Sequence, residues 1–257
     1  MNSFREPRLS AIIITLNEEK DLPRCLKSVE KIADEIVVVD SGSTDKTIEI
    51  AKSFGAKVFF RNFDNYANQK NFAAEKASGD WILSIDADEI IEPKLANEIR
   101  SEIQNPKIDE VAYTIPRKNF IFGKFIRHTR WQPELDRHIW LWKKGSGKWA
   151  GGVHEEVEAD GEVGRLINAK IHYQYETVSE FLVMMNRYSG FDAIQRVKTG
   201  VKFSLARLFF DLVYNFFVRF FYRLGFLDGW RGFMLSYLMA VYHFELWIKV
   251  WEKERGD

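Results

Sequence analysis

Short apolar runs and stretches of helical spacing alternate through the first part of the chain. The apolar, β-branched runs predict buried strands, and the stretches between them predict helices. The predicted strands are Leu9–Leu16, Glu35–Asp40, Lys57–Phe60 and Trp81–Ile85. The predicted helices are Asp21–Val29, Lys46–Phe54, Asn65–Ala77 and about Pro93–Ile103. Strands alternating with helices of this length are typical of βαβ units, so we predict an α/β fold with a mostly parallel sheet.

The pattern changes after Asn105, where a proline follows. Strand-like segments come next, and from Val178 onward the chain has helical spacing and is rich in aromatic residues. The later predicted strands are Val111–Arg117, Ile139–Lys143 and Ala169–Tyr175. We therefore predict a sheet domain over residues 1–177 and a helical extension over residues 178–257.

Composition narrows the class of protein. Lys plus Arg and Asp plus Glu number 37 each, so no overall field would attract nucleic acid. The single Cys25 excludes an internal disulfide and fits a reducing compartment. The N-terminal residues MNSFREPRLS contain no apolar signal-peptide core. We expect a cytoplasmic protein that does not bind nucleic acid.

Three carboxylates follow the predicted strand that begins at Trp81. Asp86, Asp88 and Glu89 fall within four residues in the segment SIDADE. Ligands bind beyond the carboxyl ends of parallel strands, and an acid–x–acid spacing there suits Mg²⁺ or Mn²⁺ together with phosphate oxygens. Alternatively, the acids only favour the N-terminus of the helix that Pro93 opens.

Polar loops also follow the first two strands. Asp40 precedes SGSTD, where a carboxylate can accept hydrogen bonds from a ribose or a base. The same segment can instead provide a helix N-cap through Ser43 or Thr44. We expect both, with Thr44 as the cap and Asp40 as a ligand contact. The segment Asn17–Glu19 has the same two interpretations.

Together these motifs resemble a family 2 glycosyltransferase of the GT-A fold. The resemblance rests on TLNEE, VVVDSGSTD, QKN and SIDADE in this order, and it covers Leu9 to about Ile103. It implies a nucleotide pocket lined by Leu16, Asn17 and Glu19, with Asp40 on the uracil or ribose. It also implies that Lys70 faces the diphosphate, that Asp86 lies on the sugar-nucleotide side and that Asp88 holds the Mn²⁺ or Mg²⁺. Without the resemblance, a cation beside an anionic leaving group is a reasonable interpretation of Lys70, but a solvated helix lysine would ordinarily be favoured.

The segment GGVHEE, residues 151–156, is similar to the GxVHE element of many non-processive members. An inverting transfer needs a group that takes a proton from the acceptor hydroxyl. We expect Glu155 to be that base, with His154 on the metal or phosphate. The alternative is an exposed strand beside a core histidine. His172 is either another metal or diphosphate contact or a satisfied core histidine. The QxxRW signature of processive synthases is absent, which disfavours polymerisation.

The segment Arg187–Arg231 carries eight basic and three acidic residues among many aromatic ones, a net charge of +5. Such a helix suits the surface of an anionic membrane, although it can also pack on protein. The expected cations on one helix are Arg196, Lys198, Lys202 and Arg207. The expected inserted face is Phe203, Leu205, Leu208 and Phe209.

We therefore predict an inverting, metal-dependent glycosyltransferase, peripheral on the inner face of the cell membrane. The layout resembles the subgroup that adds glucose to the heptose of lipopolysaccharide core. This resemblance implies UDP-glucose as the first donor and a saccharide or lipid-linked saccharide acceptor. One alternative is a sugar nucleotidyltransferase, which LNEEK disfavours because it lacks a glycine-rich loop. The other is a non-catalytic membrane-associated scaffold, against which the intact DADE argues.

Overall fold

The computed structural model of the chain describes residues 6–105, 109–151 and 155–255. They group into two units. The sheet unit contains the chain up to Arg117 together with Asp136–His172, and the helical unit contains Lys118–Leu135 together with the chain from Tyr173 onward. The segment 118–135, which the sequence analysis assigned to the sheet domain, thus groups with the helices. The predicted division at residue 177 stays a prediction.

The elements largely follow the predicted order. The first part of the chain forms β1 (Leu9–Thr15), α1 (Leu22–Val29), β2 (Glu35–Asp40), α2 (Thr47–Ser53), β3 (Lys57–Phe60), α3 (Tyr66–Lys76), β4 (Trp81–Ser84), β5 (Glu89–Ile90) and α4 (Pro93–Gln104). Strands dominate the next part, with β6 (Ala112–Ile121), β7 (Lys124–Phe125), β8 (Arg137–Lys143), β9 (Gly147–Ala150), β10 (Glu156–Ala159), β11 (Val163–Arg165) and β12 (Lys170–Tyr175). The last part forms α5 (Val178–Lys198), α6 (Leu205–Phe217), a π-helical turn (Val218–Tyr222), a 3-10 turn (Gly225–Asp228) and α7 (Trp230–Glu254).

The main sheet has the strand order β3-β2-β1-β4-β8-β6-β12-β5. The four strands from β3 to β4 are parallel, whereas β8 runs antiparallel to both β4 and β6. The predicted α/β fold with a mostly parallel sheet flanked by helices is confirmed. The very short strands and those of the β9–β10 hairpin were not predicted, because they are too short to show a period of two.

Strand β1 lies at the centre of the parallel half because its apolar residues can be buried on both faces. Its register places Thr15 beside Asp40, so β1 and β2 end at the same edge of the sheet. A Cβ at Gly79, just before β4, would lie 2.7 Å from Ser10 Oγ and 2.8 Å from Ser10 N. Only glycine therefore lets the chain enter β4 so close to β1.

The predicted cap at Thr44 is wrong. Helix α2 begins at Thr47 and has no side-chain cap at Lys46. Instead, Asp45 Oδ1 accepts a hydrogen bond from Thr47 N at 3.0 Å. The backbone N–H of Thr44 donates to Asn17 Oδ1 in the loop after β1. Thr44 therefore belongs to the contact between the two loops and not to the start of α2.

The helical unit corrects the predicted membrane-binding helix. Helix α5 ends at Lys198 and α6 begins after its N-cap Ser204, so Arg196 and Arg207 lie on different helices. Leu208, expected on the inserted face, is buried in the core of this unit, whereas Leu205 and Phe209 are exposed. Phe203 is partly buried against the same core. Within the described ranges, no helix combines the length and hydropathy needed to cross a membrane.

Glu35 joins four segments at the start of the parallel strands. Its buried carboxylate accepts hydrogen bonds from Ser10 Oγ at 2.5 Å, Lys57 Nζ at 2.6 Å and Ser78 N at 2.6 Å. Burial alone raises the pKa of Glu35, but these hydrogen bonds outweigh it and lower the pKa from 4.5 to about 2. The ionised carboxylate therefore stabilises the fold above its ordinary pKa, and this contribution is lost as the pH falls towards 2.

We expect Glu35→Gln to lower the free energy of unfolding at neutral pH by about 2 kcal/mol, because charge-assisted hydrogen bonds become neutral ones. Between about pH 5 and pH 3 the variant should lose less stability than the parent, because it has no proton to gain at this site. Urea unfolding at several pH values measures both effects. The exposed Glu30→Gln is the matched control and should follow the parent. A parallel loss of stability in Glu35→Gln and the parent would contradict this account.

Candidate functional site

The loops that follow β1 and β2 are bound to each other. The backbone N–H of Asn17 donates to Ser43 Oγ, and Asn17 Oδ1 accepts from Thr44 N, each at 2.8 Å. Glu19 Oε2 accepts from Lys46 N at 3.1 Å. Asn17 adopts a φ of 57°, a conformation that asparagine tolerates better than most residues. The two strand-end loops therefore form one hydrogen-bonded floor at the edge of the sheet, and Leu16 is exposed on it.

Asp40 stabilises this floor by accepting hydrogen bonds from both strand ends. Its Oδ1 accepts from Gly42 N and Ser43 N at 2.8 Å each, and its Oδ2 accepts from Thr15 Oγ1 at 3.0 Å and Ser43 Oγ at 2.5 Å. Four donors match the roughly four acceptor sites of a carboxylate. Asp40 is also only 1% exposed. Direct contact with a nucleotide, as predicted, would require Asp40 to exchange one of these hydrogen bonds.

The three residues of the QKN motif, on α3, bind three different parts of the sheet unit. Gln69 Nε2 donates to Ser41 Oγ at 2.9 Å. Asn71 binds Trp149 twice, donating to its carbonyl oxygen at 2.8 Å and accepting from its N–H at 2.9 Å. These bonds on either side of Lys70 hold α3 against both the loop after β2 and the strand β9.

Lys70 brings the predicted donor-side and base residues together. Its Nζ lies 3.1 Å from Glu155 Oε1 and 3.2 Å from Asp86 Oδ1, and 4.5 Å from the centre of the Trp149 ring. The residue is 4% exposed, so the interpretation as a solvated helix lysine is wrong. Burial alone lowers the pKa of Lys70, but the carboxylates of Asp86 and Glu155 outweigh it and raise the pKa. Lys70 is therefore a buried cation shared by two carboxylates.

The three carboxylates of DADE each lie beside a different basic side chain. Asp86 contacts Lys70, Asp88 Oδ2 lies 3.3 Å from His172 Nε2, and Glu89 Oε2 lies 2.5 Å from Lys170 Nζ. Glu89 lies in β5, and the three carboxylates are paired with side chains of α3 and β12, which disfavours the interpretation of these acids as a helix N-terminus. Burial alone lowers the pKa of His172, but the Asp88 carboxylate outweighs it and raises the pKa.

A buried network behind DADE was not predicted. Glu89 and Lys170 are fully buried, and Glu89 Oε2 also accepts from the backbone N–H of Asp86 at 2.9 Å. Nearby, Arg117 donates to Asp136 Oδ1 at 2.6 Å and lies 3.9 Å from Glu89. Burial lowers the pKa of Lys170 to about 8 despite the Glu89 carboxylate. One signal was present, because Lys170 and His172 occupy the same face of an alternating strand.

The two candidate bases differ in their surroundings. Glu155 contacts Lys70, and its side chain is 14% exposed. The side chain of Glu156 is 71% exposed and lies 3.4 Å from His138 Nδ1. The structure therefore brings Glu155, not Glu156, next to Lys70 and Asp86. His154, the predicted metal or phosphate contact, lies outside the described residues.

The donor set fits a divalent cation that also binds phosphate. In the described part of the chain, no group of three or more His, Cys, Asp or Glu side chains could hold a metal ion by itself. Mg²⁺, however, is usually bound by one or two carboxylates together with substrate phosphates and water. Asp88 provides one such carboxylate, and the imidazole of His172 lies beside it. Burial raises the pKa of Glu18 to about 7, and the nearby carboxylates, Asp88 foremost among them, add to this effect. This excess of negative charge is where a cation would be stabilised.

Comparison with known proteins agrees with these motifs. The family model described as Glycosyl transferase family 2 matches residues 10–157. An uncharacterized glycosyltransferase of Rickettsia bellii is 33% identical over 255 residues, which cover 95% of this chain and 86% of the relative. The lipopolysaccharide core biosynthesis glycosyltransferase LpsC of Rhizobium meliloti is 32% identical over 254 residues, which cover 95% of this chain and 92% of LpsC. The crystal structure of S. aureus TarS 1-349 in complex with UDP-GlcNAc has a TM-score of 0.49 and 16% identity, covering 97% of this chain and 92% of that chain.

The buried pair of Glu89 and Lys170 yields a stability prediction. Lys170→Met should lower the free energy of unfolding by about 3–5 kcal/mol, because it leaves the Glu89 charge buried without its nearest partner. The double variant Lys170→Met/Glu89→Gln should recover part of this loss, because it removes the charge and keeps an acceptor for the Asp86 N–H. Urea unfolding measures the three proteins. Lys94→Met, at an exposed position on α4, is the control, and equal stability of Lys170→Met and Lys94→Met would contradict the prediction.

Proposed function

The chain belongs to glycosyl transferase family 2, and we propose that its cluster of Lys70, Asp86, Asp88 and Glu155 transfers a sugar from a nucleotide diphosphate to a saccharide acceptor. That the protein is a glycosyltransferase follows from the family, as does the GT-A fold that the motifs implied. The observation that carries the assignment of the site is the position of Lys70. Its ammonium lies within 3.2 Å of a donor-side carboxylate and of the candidate base at once.

The nucleotide part of the donor would bind on the floor made by the two strand-end loops. Leu16 provides an exposed apolar surface there, while Asn17, Glu19 and Asp40 hold the loops in shape. Backbone and side-chain groups already fixed by hydrogen bonds lose little freedom when they bind a ligand. The fixed shape of these loops supports a nucleoside diphosphate sugar as the donor. UDP-glucose is the first candidate.

Asp88 and His172 would hold a Mn²⁺ or Mg²⁺ ion beside the diphosphate, and His154 is a further proposed contact. Such an ion, when bound, neutralises the negative charge of the diphosphate. Lys70 provides a second positive charge on the same side. A fixed cation stabilises the leaving diphosphate more strongly in a buried site than in water. Asp86 keeps that cation in place through its 3.2 Å contact.

Glu155 would take the proton from the acceptor hydroxyl during an inverting transfer. The contact with the Lys70 ammonium orients the Glu155 carboxylate but also occupies one of its oxygens. Movement of Lys70 towards the diphosphate of a bound donor would free Glu155 to accept the proton. The acceptor proposed here is a saccharide of the lipopolysaccharide core or a related glycolipid, which the likeness to LpsC supports. An acceptor of this kind places the enzyme on the inner face of the cell membrane, where an anionic surface is its partner.

The metal assignment predicts the behaviour of Asp88→Asn. The variant should abolish transfer and the Mn²⁺-dependent part of UDP binding, because it removes the charged oxygen ligand at this site. Isothermal titration of UDP with and without Mn²⁺ measures the binding, and circular dichroism shows whether the protein stays folded. Asp160→Asn, at an exposed turn, is the matched control. Unchanged Mn²⁺-dependent binding in a folded Asp88→Asn protein would contradict the assignment.

The base assignment predicts a difference between two neighbouring residues. Glu155→Gln should lower kcat by about 10²–10⁴-fold, as expected when a positioned general base is removed, with donor affinity nearly unchanged. Glu156→Gln should retain most of the activity, because that side chain is largely exposed and does not contact Lys70. Steady-state kinetics with the donor and a soluble acceptor compares them. A larger loss in Glu156→Gln would reverse the assignment, and no loss in either would move the base elsewhere.

A further inference from the structure

The end of the α6–α7 hairpin exposes apolar side chains on consecutive turns. This apolar tip consists of Phe221, Tyr222, Leu224, Phe226, Leu227 and Trp230. Tyr222 is 75% exposed and Trp230 is 67% exposed. Stripes of exposed apolar residues on both helices adjoin the tip. On α6 they are Phe209, Phe210, Val213, Tyr214 and Phe217, and on α7 they are Phe233 and Tyr237. We propose that this apolar tip inserts into the interfacial layer of an anionic lipid bilayer.

The tip is a packed structure whose exposed residues have a fixed backbone beneath them. A Cβ at Gly232 would lie 1.8 Å from the carbonyl oxygen of Gly225, so the start of α7 and the 3-10 turn touch backbone to backbone. Phe216 and Phe220 pack against Phe233 with ring centres 5.7 Å apart. These contacts fix the backbone of the hairpin end, so the surrounding side chains stay exposed.

The directions of these side chains favour lipid over a protein partner. Neighbouring positions on a helix diverge by about 100°, and those on a 3-10 turn by about 120°. Phe221 and Tyr222, and likewise Phe226 and Leu227, are adjacent and exposed together. A single protein face would cover only one member of each pair, whereas lipid chains surround an inserted turn. Trp and Tyr side chains, here Trp230 and Tyr222, are typical of residues at the membrane–water boundary.

Charge on the hairpin agrees with an anionic lipid surface. Both acidic residues between Leu205 and Tyr237 are used inside the helical unit. Asp211 accepts from the Trp247 indole N–H at 2.7 Å, and Asp228 accepts from His128 N at 2.8 Å. Arg207 is exposed, and Arg223 and Arg231 are partly exposed. Arg223 and Arg231 adjoin the tip, whereas Arg207 lies in the first turn of α6, at the far end of that helix. Within residues 205–237 neither cation beside the tip is offset by a free carboxylate, and each would add to binding at an anionic surface.

This inference names the part of the chain that contacts the proposed membrane partner, and it does not depend on the catalytic residues. It replaces the face predicted from sequence, because Leu208 is buried and the expected cations lie on two helices. The bound surface is instead the end of a hairpin, with cations beside it. Insertion then depends first on the apolar tip and only second on charge.

The test measures binding of the full chain to phosphatidylcholine vesicles with and without phosphatidylglycerol. Phe226→Ser/Leu227→Ser/Trp230→Ser should lower the partition coefficient at least about tenfold, because three apolar side chains are lost from the inserted surface. Leu182→Ser/Val183→Ser, on α5, is the matched control, since these residues are 45% and 67% exposed. It should bind like the parent. Arg223→Gln/Arg231→Gln should weaken binding to the anionic vesicles only, and raised salt should have the same effect.

Two further measurements keep the result interpretable. Thermal unfolding must show that each variant is folded, and a folded triple variant that still binds vesicles like the parent overturns the proposal. Light scattering in the absence of lipid gives the oligomeric state. A parent dimer that the triple variant converts to a monomer, with vesicle binding unchanged, would show that a second copy of the chain covers the tip. Vesicle binding is measured without donor or acceptor, so a failure of the proposed transfer reaction does not alter this result.

Discussion

The candidate site depends on the pairing of buried charges around the segment DADE. Of the three carboxylates, Glu89 is fully buried and Asp86 and Asp88 are partly buried, so their charges need compensation because removal of a charge from water is costly. Lys70, Lys170 and His172 provide a separate partner for each. These partners come from α3 and β12, so the loop after β4 keeps its shape only when the distant parts of the sheet unit are in place. Rigidity of the site and stability of the fold therefore rest on the same contacts.

The pairing also separates two kinds of residue at the site. Glu89 and Lys170 are fully buried and hold the backbone of Asp86, which makes them positioning residues. Lys70 and Glu155 contact each other, Asp88 contacts His172, and the side chains of Glu155 and Asp88 are partly exposed. The proposed diphosphate and metal ion would compete with these contacts. Charge that is already arranged in this way needs little reorganisation during the reaction.

Aspartate carboxylates that bind internal hydrogen-bond donors also explain the shape of the strand-end loops and the surface of the helical hairpin. Asp40 accepts hydrogen bonds from Thr15 at the end of β1 and from Gly42 and Ser43 in the loop after β2, which fixes this loop at the edge of the sheet. In the helical unit, Asp211 and Asp228 are both used by internal donors. The exposed surface near the hairpin end is then apolar and basic, although the chain as a whole has no net charge. Because the acidic side chains of Asp211 and Asp228 bind internal donors, the surface near the hairpin end is left apolar and basic.

The sequence by itself determined the alternation of strands and helices, the parallel half of the sheet and the family. These features depend on local periodicity and on motifs whose residues are close together in the chain. It also identified Lys70, Asp88 and Glu155 as candidates. Only the tertiary structure decided that Lys70 is buried between Asp86 and Glu155, because residues 70, 86 and 155 meet through α3, the end of β4 and the start of β10. It likewise decided the pairing of Lys170 with Glu89, 81 positions apart in the chain. The burial of Leu208 and the exposure of the apolar tip were decided in the same way, because helical spacing shows that one face is apolar and not which element covers it.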